Sequence, residues 1–168
     1  MSPTSAGLAV SAALAVVFAA APAPSQAAQA LKLTSWDAAA VERAVSGAAR
    51  RLADERCQNV FDEFEDGDGQ PLRSTLDEWN MPPADYLRLI PFLDGSRHPL
   101  CRKGNVALVT DVGVRRIYVC GRVFSAEQLR EPGVAESMVI HELLHTLGLG
   151  ENPPTSIEIT RRVDARCR

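Results

Sequence analysis

The residues in this 168-residue chain best placed to do chemistry are His141-Glu142-Leu143-Leu144-His145. On a helix, two residues four apart lie about 40° apart in projection and one turn apart in height, so both imidazoles can close on one ion. Zinc takes nitrogen, oxygen and thiolate ligands in a tetrahedral shell. Glu142, next along, is expected to lean over the open side of such an ion instead of binding it. A zinc ion brings the acidity of a water it polarises toward a pKa of about 7, and a neighbouring carboxylate can then take the proton as attack on a carbonyl begins. The expected roles are His141 and His145 as metal ligands and Glu142 as general base.

The surroundings of the motif raise its weight. Val134, Met138, Val139, Ile140, Leu143, Leu144 and Leu147 make the segment apolar on most sides, so it should be buried. Two histidines and a glutamate on a buried helix are costly unless something compensates them. Satisfied core histidines beside a surface glutamate, or a purely structural zinc site, are the plainer alternatives. A third protein ligand is required, and the chain has only 3 His. Gly148 can turn the chain sharply after His145 because glycine accepts positive φ. Glu151, six residues past His145, is then the expected third ligand. Glu158, Asp164 and His98 are the alternatives.

The run from His141 to Glu151 resembles the HExxHxxGxxH/D motif of the metzincin metallopeptidases, with Glu151 standing where that group has His or Asp. The match covers eleven of the 168 residues. The resemblance implies a zincin-like domain, a zinc cofactor and a third ligand at the Glu151 offset. Gluzincins take a glutamate from a separate downstream helix, a version for which Glu158 is the candidate. Only seventeen residues follow Glu151 and none is Met, so the Met-turn of the metzincins is missing. The stretch from Cys57 through GLGENPPTSIEIT to Cys167 also resembles a family of small exported bacterial proteins of unassigned activity.

Several elements must position this site. Thr34 or Ser35 can cap a helix running to about Arg56, with Val41, Ala44, Val45, Ala48 and Leu52 on its apolar face. An acidic turn, a short helix near Ser74 to Trp79, a proline-broken region and one apolar turn at Tyr86 to Ile90 follow. Asn105 to Thr110 and Val114 to Cys120 read as two strands of a hairpin about Asp111-Val112-Gly113. The motif helix should run from about Val134 to Leu147. Thr155-Ser156-Ile157-Glu158 reads as a capping box that opens a last helix, with Ile159, Val163 and Cys167 facing inward. This order predicts an α+β domain spanning 31–168: an N-terminal helix, a hairpin or small sheet, a buried active-site helix and a C-terminal helix.

Charge and cysteine usage bound the class. The chain carries 18 Lys and Arg against 21 Asp and Glu, a net charge of −3, and every one of these charges lies after position 30. No basic excess or stripe is present to bind nucleic acid. Leu8 to Ala21 is an apolar run of fourteen residues, too short to span a bilayer and suited to a signal peptide occupying 1–30. Small residues occupy the −3 and −1 positions of two cleavage sites, Ser25/Ala27 and Ala28/Ala30. Export makes sense of an even number of cysteines, 4 in all, as two disulfides. Cys101 with Cys120, flanking the hairpin, leaves Cys57 with Cys167. The expectation is a secreted or periplasmic monomer without stable membrane association after signal cleavage.

Other features read less specifically. Asp66-Gly67-Asp68-Gly69 invites a calcium-loop alignment, but Phe64 and Thr75 then fall where acids are needed, so an acidic turn is the better account. Tyr86 and Tyr118 could donate to a developing oxyanion, although packing explains both. The strand Val114 to Cys120 could bind an extended peptide by strand addition. The combined expectation is a secreted zinc hydrolase, a metallopeptidase with a peptide or protein substrate. The competing class is a non-enzymatic exported binding protein, and a hydrolase of non-peptide amides is a third.

Overall fold

Thr34 starts the first helix: its Oγ1 accepts the Asp37 amide at 3.2 Å and its hydroxyl donates to the Asp37 carboxylate at 2.7 Å. The structure, a computed structural model, describes residues 33–168; the signal peptide expected over 1–30 lies outside these residues. Helix α1, Ser35–Leu52, buries Val41, Ala44, Ala48 and Leu52 of the face its spacing predicts; Val45 is half-buried there, and Ala40 is buried as well. It stops four residues short of the expected Arg56. Asp54 is extended and its carboxylate accepts the Arg56 amide at 2.8 Å, so it caps a new turn, α2, Glu55–Gln58. An aspartate within a helical pattern offers the backbone this competing bond.

A 3₁₀ turn over Asn59–Phe61 leads to α3, Leu72–Glu78, and α4, Pro83–Leu89. Strand β1, Phe92–Asp94, and helix α5, Pro99–Lys103, come next. The hairpin strands are β2, Leu108–Val109, and β3, Ile117–Val119. Helix α6, Gly121–Arg130, follows at once, then α7, Pro132–Thr146, and α8, Ser156–Cys167. The domain is α+β, as expected, with eight α-helices and a three-stranded sheet among the described residues.

Besides the 3₁₀ turn, three of these elements have no counterpart in the sequence reading: β1, α5 and α6. The sheet order is β1-β3-β2, with β1 parallel to β3 and β2 antiparallel to it. The segment Val114 to Cys120 therefore supplies the central strand, paired on both sides, and cannot accept an added peptide. That possibility passes to β2, an edge strand.

The core forms where α1, α7, α8 and the sheet meet. Ala135, Val139, Ile140, Leu143 and Leu144 of α7 are fully buried against Ala44, Ala48 and Leu52 of α1 and Ile159 and Val163 of α8. Burying a side chain of this kind stabilises by about 1.5–3 kcal/mol. Gly47 permits the close crossing of α1 and α7, since a methyl there would overlap the Glu136 carboxylate. Among the described residues no helix is long and apolar enough to cross a membrane.

The C-terminal half of α8 is tied twice. Cys57 bonds Cys167 across 110 residues, and Glu63 receives Arg162 at 2.8 Å and Arg166 Nε at 2.5 Å. The second disulfide, Cys101–Cys120, joins α5 to the end of β3 over 19 residues. Both pairings are those the sequence favours.

Candidate metal centre

Helix α7 presents His141 and His145 on one face and ends in a turn that the sequence dictates. Leu149 donates its amide to the Leu144 carbonyl at 3.3 Å and Gly148 donates to the His145 carbonyl at 3.1 Å. This is a Schellman stop, with Gly148 at φ 107° supplying the left-handed residue and Leu144 and Leu149 buried together. The turn sends the chain back along the helix end, and two oxygens return with it. The Leu149 carbonyl reaches His145 Nδ1 at 2.7 Å. The Glu151 carboxylate reaches the outer nitrogens, 3.3 Å from His145 Nε2 and 3.7 Å from His141 Nε2.

The two Nε2 atoms are themselves 3.1 Å apart. These three edges average about 3.4 Å, the spacing of one triangular face of a tetrahedral shell with metal–ligand distances of about 2.1 Å. Two imidazoles and one carboxylate, each offering one atom within 4.8 Å of the others, form the one group of this kind among the described residues. The donor set suits a borderline divalent ion.

Each histidine is oriented by its second nitrogen. A carbonyl can only accept, so the Leu149 oxygen fixes the proton of His145 on Nδ1 and leaves the Nε2 lone pair facing the group. His141 Nδ1 meets the Thr160 hydroxyl of α8 at 3.0 Å. Burial pushes the pKa of His141 down to about 4, helped by the charge on His145 and opposed by Glu151. The ring is thus held neutral, as a ligand must be.

Glu142 faces a cleft of about 420 Å³ with His145 and Glu151 beside it. Leu100, Leu108, Val109 and Val112 form the opposite, apolar wall. Desolvation raises the Glu142 pKa, and the Glu151 charge adds to the rise, while His145 and the Thr110 hydroxyl oppose it. A carboxyl raised in this way is a stronger base than a solvated one. Thr110 Oγ1, buried at the end of β2, makes no complete hydrogen bond of its own. The Gly113 amide of the hairpin turn donates to the His145 carbonyl at 2.8 Å, which sets the cleft wall against the motif helix.

The alternative third ligands lie elsewhere. Glu158 closes the capping box, accepting the Thr155 amide at 2.8 Å and hydroxyl at 2.7 Å. Asp164 faces Arg168 at 3.4 Å. His98 is not the exposed loop residue its neighbours imply: it caps α5, stacks on Tyr118 at 5.2 Å and has Nε2 4.0 Å from Asp111.

Neither tyrosine lines the cleft. Tyr86 is buried with its hydroxyl 3.1 Å from Thr146 Oγ1, and Tyr118 lies on the central strand. The acidic turn is an Asx turn, in which Asp66 Oδ1 accepts the Asp68 and Gln70 amides at 2.9 and 3.0 Å. Thr160, Thr110 and the α5 wall were invisible in the sequence, whereas the Leu149 carbonyl follows from Gly148 once its turn type is recognised. No family model, curated protein or solved structure matches this chain.

Proposed function

We propose that the protein is an exported zinc-dependent hydrolase, a metallopeptidase that cleaves peptide or protein substrates. The convergence of His141 Nε2, His145 Nε2 and Glu151 Oε1 beside the open cleft carries this reading. Zinc in that position would supply the electrophile that polarises a carbonyl and acidifies a water. His141, His145 and Glu151 would hold it. The Glu142 carboxylate takes a proton from the attacking water and returns it to the leaving nitrogen. Burial raises its pKa, which makes it a stronger base toward that proton than a solvated carboxylate.

The edge strand β2 borders the cleft, so its unpaired side can receive an extended chain by strand addition. The apolar run Leu8 to Ala21 and the two disulfides support export to an oxidising compartment. The test is a zinc assay paired with hydrolysis of a mixed peptide library. One zinc per chain with hydrolysis in the parent, and zinc without hydrolysis in Glu142→Gln, is the expected result. Undiminished hydrolysis by Glu142→Gln would remove Glu142 from the mechanism, and a chain that retains no metal would sink the whole reading.

A further inference from the structure

We propose that Thr160 is a positioning residue of the metal centre, its hydroxyl reversing its hydrogen bond with His141 Nδ1 as a cation enters or leaves. This rests on the reading of His141, His145 and Glu151 as a metal site. The argument starts from the two Nε2 atoms 3.1 Å apart. The Leu149 carbonyl keeps a proton on His145 Nδ1, so in the neutral ring His145 Nε2 is a lone pair.

In protein stripped of metal, a second lone pair on His141 Nε2 would face the first across a buried gap. A proton on His141 Nε2 removes that repulsion by donating to His145 Nε2. His141 Nδ1 is then an acceptor, and the group 3.0 Å away must donate to it. With a cation present, His141 Nε2 must instead offer its lone pair. The ring proton moves to Nδ1, and the same neighbour must accept.

A carbonyl or carboxylate serves only the second arrangement and an ammonium only the first. A hydroxyl serves both. Thr160 thus lets one histidine change tautomer without moving, while Leu149 holds the other fixed. Because Thr160 is exposed on α8, water competes for the same bond, so its effect falls at the low end of the range for residues that orient a ligand.

The experiment uses the full mature chain with ¹⁵N-labelled histidine, read by long-range ¹⁵N–¹H correlation before and after adding zinc, in the parent, T160V and T160S. Expected in the parent is a shift of the His141 proton from Nε2 to Nδ1 on zinc addition, with His145 protonated at Nδ1 throughout. The zinc dissociation constant of T160V, measured against a competing chelator, should rise about 10-fold, and T160S should restore it to within about threefold. Because water can take the lost bond at this exposed position, thermal unfolding of the metal-free variants should stay close to the parent, which separates this role from a structural one. Equal zinc affinity in the parent and T160V, or a His141 tautomer unchanged by zinc, overturns the role of Thr160 while the metal site stands. A parent that takes up no zinc overturns both.

Discussion

The main-chain carbonyl of Leu149 lies 2.7 Å from Nδ1 of His145, four residues back along the chain. One turn of backbone therefore performs two tasks. It ends helix α7, and it fixes which nitrogen of His145 faces the Glu151 carboxylate. Gly148 makes this possible, since at φ 107° any side chain is strained and a Cβ would stand 3.1 Å from Asp66 Cβ. Gly148→Ala should lose about 1–2 kcal/mol of stability and weaken metal binding together, because the strain displaces both returning oxygens. Chemical denaturation and a zinc titration of the same sample check it. Lost stability with unaltered zinc affinity would show that the turn does not shape the site.

The third ligand can be separated from its rival by two substitutions of the same chemistry. Glu151→Gln removes the carboxylate that stands 3.3 Å from His145 Nε2 and should weaken zinc binding by about 10-fold or more. Glu158→Gln keeps a side-chain oxygen to accept the Thr155 amide, so the capping box should persist and the metal should stay bound. The reverse pattern would move the ligand to α8.

What could be read from the sequence was local. The i,i+4 histidines, the glycine stop, the Glu151 return and the Thr155–Glu158 box each depend on residues within about one turn of one another, where spacing fixes geometry. The elements missed were short or carried no clean period. β1 and α5 have 3 and 5 residues, and α6 buries Phe124 together with the polar Ser125 and Gln128. Only Glu131 separates α6 from α7. Thr160 meets His141 through the packing of α8 on α7, and nothing within nineteen residues of chain announces that pairing. The central place of β3 likewise follows from β1, a strand formed far upstream.

The Glu63 clamp should make stability fall in acid. Burial works to raise its pKa, but the hydrogen bonds and charges of Arg162 and Arg166 outweigh burial and hold it below the ordinary 4.5. A carboxylate with a depressed folded pKa stabilises above its ordinary value, and that contribution fades as pH falls through the lowered one. The parent should therefore lose stability below about pH 4.5 more steeply than Glu63→Gln, which lacks the titrating group. Thermal melts across pH 3 to 7 would show this, and parallel profiles would count against it.

The two disulfides should fail differently when removed. Cys57–Cys167 spans 110 residues and anchors the end of α8, whereas Cys101–Cys120 spans 19 and holds α5, with Leu100, at the cleft. By the chain-entropy account the longer loop contributes about 5 kcal/mol and the shorter about 3 kcal/mol. Cys57→Ala/Cys167→Ala should therefore show the larger fall in unfolding midpoint. Cys101→Ala/Cys120→Ala should fold, bind zinc and loosen Leu100 in the apolar wall, so that hydrolysis of peptides falls more than metal affinity does. Equal losses of zinc and hydrolysis in the second variant would mean that α5 supports the metal group itself and not the cleft beside it.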